Sequence, residues 1–468
     1  METTKLKNKN VVILGFGRQG KALARWLPQQ GARVVVNDRR SEDDLNINRR
    51  DYSGVRFVLG DHPSSVLNRA DLVCVSGGVS LQMPLLIEAR ERDIPLTNDA
   101  QLFMERCPAP VIGITGSAGK TTTTTLVGEI VRAAGYKTWV GGNIGDVLLD
   151  MLDDIESDDV VVMELSSFQL ELMTVSPQVG TILNITPNHL DRHGTMEAYV
   201  AAKANILRHQ TPSDIAVLSE DDKWCQSLQA LVPGELVSFS SRTMVPNGTF
   251  AVGNRLVLAG AASYDYVPHV LCERDEIPLR GEHNVANVLA ACAIAGALGL
   301  AADRPGIAPE TMHETIVNFR PVPHRLEHVR TINDVAYIND SIATAPERLV
   351  AALRSFSEPL VLLIGGADKD LPWDEAVHLS LQKARHVILF GKSGAKQVGD
   401  KAQRIYNIMG ASADVVTRVE TLDDAVARAH EIAQAGDVVL LSPGGTSYDA
   451  YADFAERGEH FRKLVQAL

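Results

Sequence analysis

Thr115-Gly116-Ser117-Ala118-Gly119-Lys120-Thr121-Thr122 combines two glycines, a lysine and four hydroxyl side chains around one short loop. An apolar run, Pro110 to Ile114, precedes it, and a helix-like segment, Thr122 to Ala134, follows. Strand, Gly-rich turn ending in Gly-Lys-Thr, then helix are the parts of a phosphate-binding loop. Glycine lets backbone N–H groups approach phosphate oxygens, and the helix N-terminus adds the positive end of its dipole. Lys120 is placed to reach the outer phosphates of a nucleotide, and the Thr121 hydroxyl to hold Mg²⁺. The spacing departs from G-x-x-x-x-G-K-[ST], because Ile114 stands where the first glycine belongs, flanked by Gly113 and Gly116. A solvated Gly/Thr turn is the alternative; the order of strand, loop and helix speaks against it.

Other residues could serve the same chemistry. Glu164 ends the strand-like run Asp159 to Met163, the place of a Mg²⁺-directed carboxylate beside a phosphate loop. Gly15-Phe16-Gly17-Arg18-Gln19-Gly20 follows the apolar run Val11 to Leu14 and opens a helix to about Gln29. Asp38 ends the next strand, Arg33 to Asn37, which completes a dinucleotide-type fingerprint. Asp38-Arg39-Arg40 suits a ribose or base edge plus a diphosphate; a polar loop on a purely structural fold reads equally well. Ser76-Gly77-Gly78 after Leu72 to Val75 is a further backbone nest on that edge.

These residues need sheets to carry them. Strand-like and helix-like segments alternate over residues 10–100, and Asp99 to Pro110 reads as a connector. A second unit runs to about residue 305, with a β-like section from Leu236 to Cys272 that turns at Gly253-Asn254. Strands at Val361 to Ile364, Val387 to Phe390 and Val438 to Leu441 give another doubly wound α/β unit after a junction around Arg320 to Val329. The expected fold class is α/β in three domains: a Rossmann-like domain (1–106), a central phosphate-loop domain with a small β substructure (107–318) and a C-terminal Rossmann-like domain (319–468).

Composition sets limits. The chain has 468 residues, of which 45% are hydrophobic and 22% charged, enough for several cores. A net charge of −13 argues against nucleic acid and anionic membranes as partners. The five cysteines (Cys74, Cys107, Cys225, Cys272, Cys292) form no C-x-x-C pair, which suits a reduced cytoplasmic setting. Met1 to Lys5 leads into a charged stretch, not a signal peptide. The apolar run Val288 to Ala302 is too short to span a bilayer and reads as a buried helix.

Taken in order, the phosphate loop, Gly141-Gly142-Asn143-Ile144-Gly145, Glu164-Leu165-Ser166-Ser167-Phe168-Gln169, His189-Leu190-Asp191-Arg192, Tyr199 with Lys203, His283-Asn284, His324-Arg325-Leu326-Glu327 and Asp340-Ser341 resemble the Mur ligases. The resemblance covers nearly the full chain, and the Gly-Gly-Asn-Ile-Gly and Glu-Leu-Ser-Ser-Phe-Gln runs are most like the glutamate-adding branch. It implies an ATP-dependent acid–amino-acid ligase of cytoplasmic peptidoglycan synthesis, a monomer working through an acyl phosphate. Its substrates would be UDP-N-acetylmuramoyl-L-alanine and D-glutamate.

The resemblance also implies roles. Catalysis falls to Lys120, Glu164, His189 and Lys203; two Mg²⁺ ions fall to Thr121, Glu164, His189 and an N-carbamylated Lys203. ATP falls to Gly116, Ser117, Ala118, Gly119, Lys120, Thr121, Thr122, Asn284, Asn287, Arg325 and Asp340. Gly15, Gly17, Asp38, Arg39, Arg40, Ser76 and Gly78 would take the UDP moiety, with Asn143, Ser166 and Thr344 also binding substrate. Lys369, Ser447 and Phe454 would hold glutamate. Ile342 stands where the family often has lysine, which leaves an L-glutamate-specific variant or another amino-acid ligase of the family open. Gly77 replaces a usual proline and Ala118 a common asparagine. A non-catalytic sensor of sugar nucleotides is the alternative of a different class.

Overall fold

Val11-Val12-Ile13-Leu14 is too short and too evenly apolar for an amphipathic helix; in the computed structural model it lies mid-sheet, buried on both faces. The structure describes all residues except 1–3, 46, 146, 264, 302–304, 321–322, 395, 411 and 413–414. Met1 to Thr3, Ala302 at the end of the apolar run, and Pro321 and Val322 of the expected junction lie outside the described residues, as does the side chain of Asp191. Packing divides the chain into two compact units, Met1–Ile277 with Ala286–Asn318, and Pro278–Val285 with Phe319–Leu468.

The first unit holds two sheets. One comprises β1 (Asn10–Leu14), β2 (Arg33–Asp38), β3 (Arg56–Leu59), β4 (Leu72–Val75) and β5 (Leu96–Thr97), parallel in the order β3-β2-β1-β4-β5. The chain reverses direction across the sheet between β1 and β4, so the loops after these strands diverge and leave a crevice. Gly15 sits there at φ +91°. Its carbonyl accepts the Ser76 hydroxyl at 2.8 Å. A Cβ on Gly20 would lie 2.0 Å from that same carbonyl oxygen, so only glycine lets the helix Arg18–Gln29 pack this close.

The other sheet runs β14-β13-β12-β11-β10-β9-β6-β8-β7. Its parallel part is β6 (Val111–Thr115), β7 (Thr138–Gly142), β8 (Val160–Glu164), β9 (Val179–Ile182), β10 (Ile215–Ser219), β11 (Glu235–Ser240) and β12 (Gly248–Val252). β13 (Arg255–Ala259) and β14 (His269–Glu273) add antiparallel hairpins, the first turning at Gly253-Asn254 as expected. In the parallel β6–β8 pair Ile114 faces Glu164, so the phosphate loop and the carboxylate leave the sheet at one edge.

One expectation fails. Asp99–Met104 is a helix, not a connector. Asn98 caps it by accepting the Gln101 amide at 2.8 Å, and all six helical residues are buried. It is too short to show a helical period, and its signals were the cap and the apolar Ala100, Leu102, Phe103 and Met104. Asn98 also donates to the Gln169 carbonyl at 2.8 Å and Gln101 to the Thr174 hydroxyl at 3.1 Å, so this helix fastens the first sheet to the second.

The second unit holds a mixed sheet of β15 (Glu327–Ile332), β16 (Val335–Asn339), β17 (Leu360–Gly365), β18 (Ala384–Phe390), β19 (Val416–Arg418) and β20 (Val438–Gly444), in the order β15-β16-β20-β17-β18-β19. Only β15 is antiparallel, formed by part of the expected junction. The helix Glu282–Ala301 is long and apolar enough to cross a membrane, but Leu289 to Ala295 are wholly buried in protein.

Candidate active site

The phosphate loop joins β6 to the helix Lys120–Ala133. Gly119 caps that helix at φ +85°, and a Cβ there would sit 2.2 Å from the Asn287 amide oxygen. Lys120 Nζ donates to the Gly116 carbonyl at 2.8 Å. The Thr121 hydroxyl donates to Glu164 Oε2 at 2.9 Å, and the Asn143 side-chain amide to Oε1 at 2.7 Å. The Asn143 backbone amide binds the Glu164 carbonyl at 2.9 Å, so the carboxylate and its neighbour are fixed together. Ser117 is held by the Thr186 carbonyl and the Tyr199 hydroxyl, each at 3.0 Å. Ala118 is gripped by Asn184, whose Oδ1 accepts its amide at 2.9 Å and whose Nδ2 donates to its carbonyl at 3.1 Å.

Lys203, on the helix Met196–Arg208, is 1% exposed. Its Nζ donates to the Thr115 hydroxyl at 3.2 Å and to the Gly116 carbonyl at 3.0 Å, and lies 4.8 Å from the Tyr199 ring centre. Burial, and then the charge of Lys120, push its pKa well below the usual lysine value. His189 is exposed and adopts a left-handed backbone, φ 54° and ψ 30°. Its ring meets Phe168 edge-on at 5.1 Å, and His193 stacks on Phe168 at 5.2 Å. Arg192 lies over the same ring at 4.7 Å and donates to the Val79 carbonyl at 2.9 Å. Ser166 uses its hydroxyl as a helix cap for the Gln169 amide at 3.3 Å.

At the fingerprint, Asp38 is saturated. It accepts the Phe16 amide at 2.7 Å, the Arg40 amide at 2.9 Å, and the Arg40 guanidinium at 3.0 and 2.8 Å. Burial alone would raise its pKa; Arg40 and the two amides outweigh that and hold it at about 2. Asp38 and Arg40 thus act as one paired unit, while Arg39 and Gly78 are exposed and Gly17 is half-buried. The crevice beside Ser76 and Gly77 opens into a small pocket walled by Phe168, Glu171 and Arg192.

In the second unit, Asp340 opens the loop after β16. It accepts the Ser442 hydroxyl at 2.8 Å and the Leu326 amide at 3.2 Å. Burial raises its carboxyl to about 7, with Ser442 and Arg325 only partly opposing. His324 and Leu326 take left-handed backbones, φ 64° and 44°, to wrap the His-Arg-Leu-Glu segment around it. His283 is driven to about 4 by burial and by Arg325. Asn284 donates to the Arg280 carbonyl at 2.7 Å. Ile342 holds its loop by backbone alone: its amide binds the His324 carbonyl at 3.1 Å, and its carbonyl accepts Arg348 at 3.1 Å and the Thr344 amide at 2.9 Å. Lys369 is exposed, Thr344 and Phe454 are half-buried, and Ser447 is buried.

The donors fit a nucleotide with Mg²⁺. The loop offers glycine-lined amides at a helix start, and the Thr122 hydroxyl is buried with no hydrogen-bond partner among the described residues. No three His, Cys, Asp or Glu side chains cluster among the described residues. A hydroxyl and a carboxylate side by side suit Mg²⁺, which takes few protein oxygens and keeps waters and phosphates. The sequence did not single out Asn184, Phe168, Arg18 or Arg192. Arg18, Phe168 and Arg192 lie inside motifs already noted; Asn184 lies two residues past β9 and carries no signal.

Comparison with known proteins agrees with this arrangement. Three family models match in chain order: the Mur ligase MurD-like N-terminal domain over 9–98, the Mur ligase middle domain over 114–295, and the Mur ligase glutamate ligase domain over 324–445. A UDP-N-acetylmuramoylalanine--D-glutamate ligase of Symbiobacterium thermophilum is 41% identical over 100% of both chains. One from Pelotomaculum thermopropionicum is 39% identical over 98% of both, and one from Clostridium botulinum 35% identical over 99% of this chain and 98% of its own. Among solved structures, the UDP-N-acetylmuramate-alanine ligase of Thermotoga maritima matches with TM-score 0.60 and 19% identity, covering 98% of this chain and 99% of its own, which speaks for fold. A phosphate loop whose threonine and neighbouring asparagine share one carboxylate, in a chain matched from end to end by these relatives, places the chain in the Mur ligase family.

Proposed function

We propose that this protein joins D-glutamate to UDP-N-acetylmuramoyl-L-alanine, cleaving ATP to ADP and phosphate, in the cytoplasmic stage of peptidoglycan synthesis. The observation that carries the chemistry is Glu164, held by Thr121 on one oxygen and Asn143 on the other beside the phosphate loop. Full-length similarity to D-glutamate ligases supports the choice of substrates.

A substrate carboxylate oxygen attacks the γ-phosphorus of ATP, and ADP leaves. The glutamate amine then attacks the acyl-phosphate carbon, loses a proton, and the tetrahedral centre expels phosphate. Bringing carboxylate and γ-phosphate together needs cations and a rigid clamp. Lys120 supplies charge from within the loop, and the amides of Gly116, Gly119 and Thr121 orient the phosphates. Thr121, Glu164, His189 and Lys203 would hold two Mg²⁺ ions, which offset that repulsion when bound. Lys203 fits carbamylation because burial and the Lys120 charge shift its amine toward the neutral form, and only the neutral amine adds to CO₂.

The paired Asp38 and Arg40, with Gly15, Gly17, Arg39, Ser76 and Gly78, would receive the UDP end. Asn284, Asn287, Arg325 and Asp340 would serve ATP; Thr344, Lys369, Ser447 and Phe454 would serve glutamate. The domains divide at 106/107 and 318/319, and the protein works as a monomer.

The test is phosphate release with ATP, Mg²⁺, UDP-N-acetylmuramoyl-L-alanine and either glutamate enantiomer. Release with D-glutamate alone is expected. No release with either sinks the ligase reading, and release with L-glutamate alone reverses the stereochemistry.

A further inference from the structure

Arg18 is the first residue of the helix that follows the fingerprint glycines. Its guanidinium crosses to the second sheet and donates to three carbonyls of one turn: Gly145 at 2.6 Å, Asn143 at 2.8 Å and Gly142 at 3.4 Å. Gly142 at φ 101° and Gly145 at φ 57° let that turn fold tightly beneath the guanidinium. A planar fork of donors matches several carbonyls at once, which a lysine ammonium does less well. The turn does not end there. The Asn143 side chain and backbone both bind Glu164, and Glu164 binds Thr121. An unbroken chain of hydrogen bonds therefore runs from the fingerprint loop through Arg18, Asn143 and Glu164 to the phosphate-loop threonine.

The same helix carries an internal control. Arg25 also crosses to the second sheet's side, but pairs with Asp150 at 3.2 and 2.5 Å, beyond the turn. Arg25 ties the same seam without touching Asn143.

We propose that Arg18 is a positioning residue: it sets the Gly142–Gly145 turn, and through Asn143 holds Glu164 where it meets Thr121 and the nucleotide-bound cation. This rests on the reading of Thr121 and Glu164 as metal-facing. Cutting the link loosens Glu164 without removing any residue that touches ATP.

The experiment compares full-length wild type, Arg18→Ala, Arg18→Lys and Arg25→Ala. Mn²⁺ affinity in the presence of ADP is read by electron paramagnetic resonance, alongside the KM values for ATP and D-glutamate and the thermal midpoint. Arg18→Ala should weaken Mn²⁺–ADP binding about tenfold and raise the KM for ATP, with the KM for D-glutamate unchanged. Arg18→Lys should recover part of the loss. Arg25→Ala should lower the midpoint as much as Arg18→Ala does yet bind Mn²⁺–ADP like wild type. Equal Mn²⁺–ADP affinity in Arg18→Ala and wild type overturns the proposal, as does an equal loss in Arg25→Ala. The metal titration needs no turnover, so a protein that binds Mn²⁺–ADP but releases no phosphate would sink the ligase reading and still decide the role of Arg18.

Discussion

The two compact units hold their polar loops by different means. In the first, the residues of the site hold one another: Thr121 and Asn143 share Glu164, and Lys120 and Lys203 share the Gly116 carbonyl. In the second, one arginine outside the expected site does the holding. Arg457, 1% exposed, donates to the Ser341 hydroxyl at 3.0 Å, the Ser341 carbonyl at 2.9 Å and the Gly445 carbonyl at 3.1 and 3.2 Å. The Ser341 hydroxyl in turn donates to the Phe454 carbonyl at 2.8 Å. The loops after β16 and β20 and the last helix are thus clamped by backbone. Mutating Thr121, Asn143 or Glu164 therefore removes a site residue and its neighbours' support together, whereas Arg457 can be changed without touching any expected site residue.

The sharpest break falls on the first unit. Lys203→Ala should cost about 10³-fold in turnover, some 4 kcal/mol of barrier, with partial rescue by short carboxylates. Phosphate release measures it, and full activity without rescue would refute the carbamate role.

Arg457→Met should mainly destabilise the second unit, by about 3 kcal/mol, because the Ser341 and Gly445 carbonyls lose their buried donor. Urea unfolding followed by circular dichroism checks this; an unchanged midpoint would mean that the clamp is idle.

Asp340 adds a pH dependence. Burial raises its carboxyl from 3.8 to about 7, so the folded protein holds this proton more tightly than the unfolded chain. Its contribution to stability is present below about pH 4 and is lost as pH rises through 7. Asp340→Asn should flatten the stability profile between those limits by roughly 4 kcal/mol. Urea midpoints at pH 5 and 8 measure it, and an unaltered slope would count against the buried acid.

The smallest effect sharpens the separation. Ser447→Ala should raise the KM for D-glutamate about fivefold, a lost hydrogen bond of roughly 1 kcal/mol, with no change in thermal midpoint. A fall in midpoint without a KM change would recast Ser447 as structural.

Much of this arrangement was legible in the sequence, for a physical reason. Strands buried on both faces are read from apolar runs, and phosphate loops and capped turns from glycines at fixed offsets, so β1, β6, β8 and their loops were visible. The helix Asp99–Met104 was not, being shorter than two turns. Arg457 and Asn184 were not either. Each acts through backbone groups brought close by long-range folding, and an arginine on a helix reads as a solvated one. Arg18 sat inside a recognised fingerprint at a position that the motif leaves unspecified. What it touches lies more than a hundred residues away.

The Gly116 carbonyl is shared. With Lys120 at 2.8 Å and Lys203 at 3.0 Å, one oxygen serves two amines. A phosphate drawn to Lys120, as proposed, would have to displace this internal competitor. The gain would then be the difference between a lysine–phosphate and a lysine–carbonyl bond, not the full strength of the new contact. Moving the Lys120 ammonium toward a phosphate would also take away a charge that lowers the Lys203 pKa, which would tie the protonation of that amine to the filling of the loop.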